Sequence, residues 1–436
     1  MGPRKESAYR RRADLIGSLA RDGAGVFTSV SVEAVRGEMG MSFSIRVLAV
    51  AASLSLGAGL AHADDLKAAL IYGRTGPLEA YAKQTETGFN MGLEYATKGT
   101  MLVAGRKIVI VPKDDQGKPD LAKSALTEAY EDDGAEIAVG TTSSPATIAM
   151  LPVAEEHKKI LIVEPAVADQ ITGEKWNRYI FRTSRNSTQD AISNAVAIGA
   201  KGVEIGVLAV DNAFGRDGVA AFKSALTKTG ATLAAEEYAP ASTTDFTAVG
   251  QRLFDALKDK PGKKLIWFVW AGATNPLAKL ADMDPGRYGI GFAAAGNILP
   301  ALTAYKRFPG LEGATYYYYD IPKNPINDWL VAEHRKRFNA PPDFFTCGGF
   351  AAAMALVASL EKTAGSTDAE KLIPAMEGLR FQTPKGEMMF RREDHQALQS
   401  MFAFKIKVDP NLAWGVPELT KELRIEDMDV PIRNKR

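Results

Sequence analysis

The stretch LKAALIYGRTGP, residues 66 to 77, joins an apolar run to a turn rich in glycine and proline. The run predicts a buried strand over Leu66–Tyr72, and the turn predicts where that strand ends. Downstream, Phe89, Leu93 and Ala96 share one helical face, which predicts a helix over 85–96. A strand followed by a helix is the repeating unit of a parallel sheet, so this stretch predicts an α/β protein.

The same alternation continues along most of the chain. Further strands are predicted over 108–111, 137–139, 160–163, 179–181, 205–210, 235–238, 265–270, 291–294 and 314–319. Helices are predicted over 119–130, 146–157, 217–228, 246–257, 276–283 and 346–360. Residues 388–390 and 401–406 are interpreted as a final strand pair, and the tail from 411 onward as surface chain. So many strands favour two doubly wound lobes of five or six strands, with parallel central sheets.

Residues 41–63, MSFSIRVLAVAASLSLGAGLAHA, have the order of a secretory signal: Arg46, a short apolar run and Ala61-His62-Ala63. The run is shorter than the roughly 20 residues of a membrane span. We expect cleavage near Ala63 and a periplasmic protein. Residues 1–40 are polar and rich in arginine, and we interpret them as a mis-called upstream segment with translation starting at Met39 or Met41. A genuine cytoplasmic extension is the alternative.

Composition narrows the functional classes. A hydrophobic content of 46% and a charged content of 24% are ordinary for a globular protein. The net charge of +1 gives no general attraction to nucleic acid, so none is expected as a partner. Cys347 is the single cysteine, which excludes an intramolecular disulfide.

The residue patterns also argue against an enzyme. Ser143 and Ser144 precede a predicted helix, but no G-x-S-x-G motif surrounds them, and one of the four histidines, His62, lies in the leader. Pro77 removes an N–H group where a dinucleotide-binding turn needs one. No zinc or calcium motif is present in the sequence. We therefore expect neither catalysis nor a cofactor nor a metal.

Five short motifs occur in a characteristic order: Thr75-Gly76-Pro77 with Tyr81, Asp114-Asp115 before Pro119, the GTTSS loop 140–144, Glu164-Pro165-Ala166 and the DNAFG loop 211–215. In this order they resemble the type I periplasmic solute-binding proteins of ABC importers, in particular the leucine/isoleucine/valine-binding group. The resemblance runs from about residue 64 to residue 406.

The resemblance implies two lobes joined by a three-segment hinge, which close on a ligand between them. Crossovers are expected near 182–185, 319–323 and 394–397. Lobe 1 would comprise 64–184 plus 320–395, and lobe 2 would comprise 185–319 plus 396–436. The implied partner is an ABC permease in the cytoplasmic membrane, and a monomer is usual for this role. A receptor that reports its ligand to a membrane sensor is a lower alternative.

The resemblance also implies that the serine loop holds a ligand carboxylate. We assign that role to Ser144, with Ser143 and Thr142 beside it. The alternative for Ser144 is a hydroxyl that caps the following helix. Arg74 would add a charge-assisted contact, and its alternative is a solvated loop charge.

The part of the family site that binds an ammonium group is absent from this sequence. Amino-acid-binding relatives carry a threonine two residues after the alanine that matches Ala166. Ala168 stands there in this sequence, unless a one-residue gap places Asp169 at that position. AAAGN, 293–297, stands where those relatives carry an acidic residue. An aromatic side chain near Ala273 is also lost. The predicted pocket is therefore lined by small and aromatic residues: Ala166, Ala168, Ala273, Ala295, Asn297, Tyr81, Phe214, Trp270 and Phe350. The alternative for Trp270 and Phe350 is a place in the hydrophobic core. We expect a hydrophobic or aromatic carboxylate of the benzoate or cinnamate type, with a branched-chain amino acid as the alternative.

Overall fold

The computed structural model describes residues 64–272 and 274–434. These residues belong to one unit, His62–Arg436. The predicted leader, 41–63, and the upstream segment, 1–40, lie outside the described residues, so both interpretations stay predictions.

The strands form two large sheets and one small one. In chain order they are β1 Leu66–Tyr72, β2 Leu102–Val103, β3 Arg106–Asp114, β4 Ile137–Gly140, β5 Leu161–Val163, β6 Ile180–Arg182, β7 Val203–Val210, β8 Thr232–Ala239, β9 Lys263–Val269, β10 Ile290–Ala294, β11 Glu312–Thr315, β12 Arg380–Thr383, β13 Gly386–Phe390, β14 Ala397–Leu398, β15 Met401–Val408 and β16 Gly415–Leu423. The first sheet has the order β2-β3-β1-β4-β5-β6 and the second the order β16-β15-β11-β10-β9-β7-β8. Strands β12 to β14 form the small sheet.

Helices cover the parallel parts of these sheets. They are α1 Glu79–Ala96, α2 Pro119–Glu131, α3 Ser144–His157, α4 Ser187–Ile198, α5 Ala213–Leu226, α6 Thr247–Leu257, α7 Pro276–Ala281, α8 Leu299–Tyr305, α9 Pro325–Phe338, α10 Phe344–Lys362 and α11 Ala369–Met376. Strand β1 pairs in parallel with β3 and β4 and is buried on both faces, which explains its continuous apolar run. The predicted doubly wound α/β architecture is confirmed. Antiparallel strands β2 and β16 form sheet edges, and the antiparallel strand β15 lies between β16 and β11.

The chain passes between the two halves three times: between β6 and β7, between β11 and β12, and between β14 and β15. The small sheet belongs to the half that contains β1, because Phe381, Met388 and Phe390 join the same hydrophobic core as β1. We call that half lobe 1 and the half that contains β7 lobe 2. The lobe boundaries drawn from the sequence lie near these passages and stay a prediction.

Two expectations about the C-terminal region were wrong. Residues 388–390 and 401–406 do not pair with each other, because β13 pairs with β12 and β14, whereas β15 pairs with β11 and β16. Part of the tail expected as surface chain is β16, an edge strand. This strand could not be recognised from the sequence because many of its residues are polar and exposed, as is usual where one face of an edge strand meets solvent.

Helices α1 and α10 approach each other closely through glycine. A β-carbon on Gly88 would lie 1.9 Å from the carbonyl oxygen of Thr346, and one on Gly349 would lie 1.9 Å from that of Thr85. No other residue fits at such a distance. Helix α10 is long and apolar enough to cross a membrane, but 83% of its most apolar stretch is buried inside the protein. This core helix holds the start of α1 in place.

Candidate functional site

A cavity of about 640 Å³ lies between the lobes. Lobe 1 contributes the turn after β1, the start of α1 and the start of α10. Lobe 2 contributes the segments that follow β7, β9 and β10. The carboxyl ends of parallel strands form the usual ligand site of such sheets, and this cavity has the size of a small-molecule pocket.

Aromatic side chains dominate the walls of the cavity. Its lining includes Tyr81, Phe214, Trp267, Phe268, Trp270, Tyr305, Phe344 and Phe345. The segment 295–297 adds an alanine, a glycine and an asparagine, which leave space between these rings. Such walls favour a ligand with a flat or apolar body.

Tyr81 links the two lobes at the cavity. Its hydroxyl accepts a hydrogen bond from the N–H group of Gly272 at 3.3 Å and bonds to the side chain of Asn297. Its ring lies 4.5 Å from that of Phe345. Burial raises the pKa of this phenol, so it remains a neutral hydrogen-bonding group.

Arg185 supplies a guanidinium to the cavity wall. Its Nε donates to Oδ1 of Asp190 at 3.2 Å, and its Cζ lies 4.9 Å from the ring of Tyr316 and 5.2 Å from that of Phe344. In the part of the chain that the structure describes, its two terminal nitrogens have no hydrogen-bond partner. A planar guanidinium with free terminal nitrogens is suited to a carboxylate.

A second pair of charged groups lies in the protein interior near Arg185. The carboxylate of Glu164 accepts from the hydroxyl of Thr183 at 2.9 Å, and Nζ of Lys385 lies 4.3 Å from the ring of Tyr316. Burial raises the pKa of Glu164 to about 7 and lowers that of Lys385 to about 8. Burial thus disfavours the charged form of both groups.

The structure places some of the predicted site residues at the cavity and others away from it. Tyr81, Phe214, Trp270, Ala295 and Asn297 line the cavity. The described lining includes none of Arg74, Thr142, Ser143, Ser144, Ala166 and Ala168. Ala273 lies outside the described residues, and Phe350 is fully buried in a small core cluster.

The serine loop is engaged in bonds within lobe 1. The hydroxyl of Ser144 accepts from the N–H group of Ala168 at 3.2 Å, and that of Ser143 accepts from Ala146 at 3.5 Å as the cap of α3. The hydroxyl of Thr142 is buried without a partner among the described residues. The capping role weighed for Ser144 therefore falls to Ser143.

Arg74 is paired within lobe 1 as well. One of its terminal nitrogens lies 2.6 Å from Oε1 of Glu86, and the side chain is about one-third exposed. Its main-chain N–H group donates to Asp114 at 2.9 Å.

Two carboxylates bridge the lobes next to the cavity. Asp343 of lobe 1 accepts from the N–H group of Leu299 in lobe 2 at 3.0 Å. Asp217 of lobe 2 accepts from the N–H group of Gln170 in lobe 1 at 3.0 Å. Together with Tyr81, these bonds hold the lobes together around the cavity.

The family model described as periplasmic binding protein matches residues 65–411. The chain belongs to this family. The binding protein is thus the solute-binding component of an ABC-type transporter, which takes up a small molecule and works with a membrane permease.

Individual relatives agree with this assignment. A Leu/Ile/Val-binding protein homolog from Brucella melitensis is 26% identical over 367 residues, which span 81% of this chain and 91% of that protein. A crystal structure from Rhodopseudomonas palustris CGA009, described as an ABC-type branched-chain amino acid transporter, is 75% identical. It matches 85% of this chain and all of that one with a TM-score of 0.77. A solute-binding protein from Rhodopseudomonas palustris BisB5, in complex with 3,4-dihydroxybenzoic acid, is 27% identical with a TM-score of 0.72, over 83% of this chain and 98% of that one.

Sequence reasoning missed the charged residues of the cavity. Arg185 was seen only as part of a crossover, and Asp190 was not considered. The available signal was position: Arg185 closely follows β6, at the edge where the strands end. No local motif marks either residue. They reach the cavity because the chain passes from lobe 1 to lobe 2 at this point.

Proposed function

We propose that this binding protein captures a small hydrophobic or aromatic carboxylate, of the benzoate or cinnamate type, and presents it to its permease. The observation that supports this proposal is the guanidinium of Arg185. It lines a cavity walled by aromatic rings, and its terminal nitrogens have no hydrogen-bond partner among the described residues. The acid would bind Arg185, and the ring or chain would lie among the aromatic side chains of both lobes. The 3,4-dihydroxybenzoic acid bound by one relative supports this ligand class.

A second candidate is a hydrophobic amino acid, and Asp190 favours it. This carboxylate also lines the cavity, beside Arg185, and could accept a ligand ammonium. The names of the Brucella melitensis and Rhodopseudomonas palustris CGA009 relatives support this candidate. Against it, Asp190 is already paired with Arg185, so an ammonium would compete with a guanidinium for the same carboxylate.

The location, oligomeric state and partners of the protein are also proposed here. We propose a periplasmic monomer that is cleaved near Ala63, has no nucleic-acid partner and catalyses no reaction. Transport family membership supports the location and the absence of catalysis.

The ligand class can be tested by calorimetric titration of the protein, purified after expression of the full chain, with 3,4-dihydroxybenzoate, cinnamate and leucine. Arg185→Gln should weaken carboxylate binding by about a hundredfold, because a charge-assisted bond in a desolvated site is lost. Arg74→Gln removes an arginine outside the described lining of the cavity and should leave the dissociation constant within about twofold, because Arg74 is paired with Glu86 inside lobe 1.

Asp190→Asn separates the two candidates. It should weaken leucine binding strongly if the ligand is an amino acid, because the ammonium loses its partner. If the ligand is an aromatic acid, it should strengthen binding or leave it unchanged, because Arg185 is released from its own pair. Tight leucine binding by the unmodified protein without any response to the aromatic acids would overturn the preferred ligand class.

A further inference from the structure

Asp343 and Asp217 make reciprocal bonds across the cleft. Each carboxylate belongs to one lobe and accepts a hydrogen bond from the main chain of the other lobe. We propose that these two residues are positioning residues for capture, which together set the fraction of the protein that is closed. This inference concerns closure and does not depend on which ligand binds.

Asp343 serves both lobes at once. Its Oδ1 accepts from the N–H group of Phe344 at 2.7 Å, which caps α10, and its Oδ2 accepts from Nε2 of Gln84 at 2.8 Å. Both oxygens also lie 3.0 Å from the nitrogen of Leu299 at the start of α8. Within lobe 1 the carboxylate is thus oriented by two donors, and lobe 2 supplies the third. An oriented carboxylate loses little freedom when the lobes close.

Asp217 makes the corresponding bond in the opposite direction. It lies on α5 of lobe 2, and its Oδ2 accepts from the N–H group of Gln170 at 3.0 Å. The side-chain nitrogen of Gln170 lies 3.4 Å from Oδ1 and 3.3 Å from Oδ2 of the same carboxylate. Gln170 lies in the 3-10 turn Asp169–Ile171 after β5, so the bond joins the strand ends of lobe 1 to a helix of lobe 2.

Neither carboxylate belongs to the described lining of the cavity, although both are next to residues that do. Their donors are main-chain groups, which are present whichever ligand binds. The apparent dissociation constant of a ligand that needs the closed form varies inversely with the closed fraction. Loss of these bonds should therefore weaken all ligands by the same factor, whereas loss of a ligand contact weakens ligands selectively.

The double variant Asp343→Ser with Asp217→Ala tests the proposal. Serine can still cap α10 through its hydroxyl, but neither shortened side chain reaches the opposite lobe, so both bridging bonds are lost. Small-angle scattering of the ligand-free protein should show a larger radius of gyration than for the unmodified protein. The dissociation constants of 3,4-dihydroxybenzoate and leucine, where each binds, should rise by a common factor of roughly ten.

Controls separate closure from folding and from ligand contact. Asp282→Asn removes an exposed carboxylate paired with Arg307 inside lobe 2 and should change neither quantity. Asp343→Asn with Asp217→Asn keeps the side-chain volume and an acceptor oxygen at both positions and loses only the charges. It should give smaller changes in the same direction, and it still tests closure if the shortened variant folds poorly. Unchanged scattering together with unchanged dissociation constants would overturn the proposal. If neither compound binds, the scattering comparison alone decides.

Discussion

The two edges that face the cleft are built differently. On lobe 1, the side chains after the strands form hydrogen bonds within the lobe. Asp114 accepts from the hydroxyl of Thr75 at 2.7 Å, and Ser144 accepts from the main-chain N–H group of Ala168 at 3.2 Å. On lobe 2, Phe214 and Trp270 face the cavity directly. The motifs that carry the family resemblance lie mostly on the first edge, but much of the cavity wall comes from the second.

This difference separates the residues that identify the fold from those that select the ligand. Asp115 is fully buried, and its bonds to Thr141 and to the N–H group of Gly117 fix the loop after β3. A buried polar group must keep its partners, so such loops preserve their residues for structural reasons. Apolar walls have no such bonds to satisfy and can change with the ligand.

The largest effect that would sharpen this comparison comes from filling the cavity. Ala295→Phe places a ring in the space between the aromatic walls. It should raise the dissociation constant of any ligand by more than about a hundredfold, because the new ring occupies volume that the ligand needs. Calorimetry measures this loss. The melting temperature without ligand should fall little, since Ala295 is only partly buried.

Ala168→Phe is the matched substitution on lobe 1. Ala168 is fully buried, so the ring would overpack the core and lower the free energy of unfolding by about 1–3 kcal/mol or more. Denaturant unfolding checks this. If Ala168→Phe blocked the ligand while stability stayed unchanged, the division between the two edges would be wrong.

A smaller effect is expected at Ser144. Ser144→Ala leaves the buried N–H group of Ala168 without its acceptor and should lower the free energy of unfolding by about 1–3 kcal/mol. Ligand affinity should stay within about twofold. A large loss of affinity for acids with stability unchanged would instead restore the carboxylate role assigned to Ser144 from the sequence.

The smallest expected effect is a pH dependence of stability from Glu164. Because burial raises its pKa to about 7 from the ordinary 4.5, the folded protein binds a proton that the unfolded chain has released. Stability should therefore fall as the pH rises from 4.5 through the raised pKa of Glu164, which gives a downward slope of stability against pH. Thermal unfolding between pH 5 and pH 7 should show this slope in the unmodified protein and a weaker one in Glu164→Gln.

Other titratable groups near Glu164 bear on that measurement. Glu164 interacts electrostatically with the following charged and ionisable residues: Arg182, Arg185, Lys385, Tyr72, Tyr316 and Cys347. Lys385 acts above this range, since its lowered pKa of about 8 makes stability rise with pH from there. An identical slope in both proteins would assign the dependence to another group.

The helices and strands that were predicted best are those whose burial produces a simple pattern of apolar residues in the sequence. Strand β1 was predicted with its observed ends, because both of its faces are buried. Helix α4 was missed because it begins with polar residues and depends on a capping box between Asn186 and Gln189. Helix α9 was missed because it is highly charged and buries few side chains, so its sequence shows little apolar periodicity.

The candidate site was predictable only in part, for a similar reason. Tyr81 and Phe214 follow strands at the expected ligand edge, so their place could be inferred from topology. The pairing of Ser144 with Ala168 depends on the distance between two neighbouring loops, which no local pattern encodes. Arg185 reaches the cavity because the hinge turns there.

The close contact of α1 with α10 has a consequence for how such proteins diversify. With Gly88 and Gly349 against the backbone of the partner helix, almost any substitution at this contact would force the helices apart. The ring pair of Tyr81 and Phe345, at the starts of these helices, would move with them. Lineages that acquire new nutrients should therefore keep this helix pair and vary the loops of lobe 2, where change costs the scaffold little.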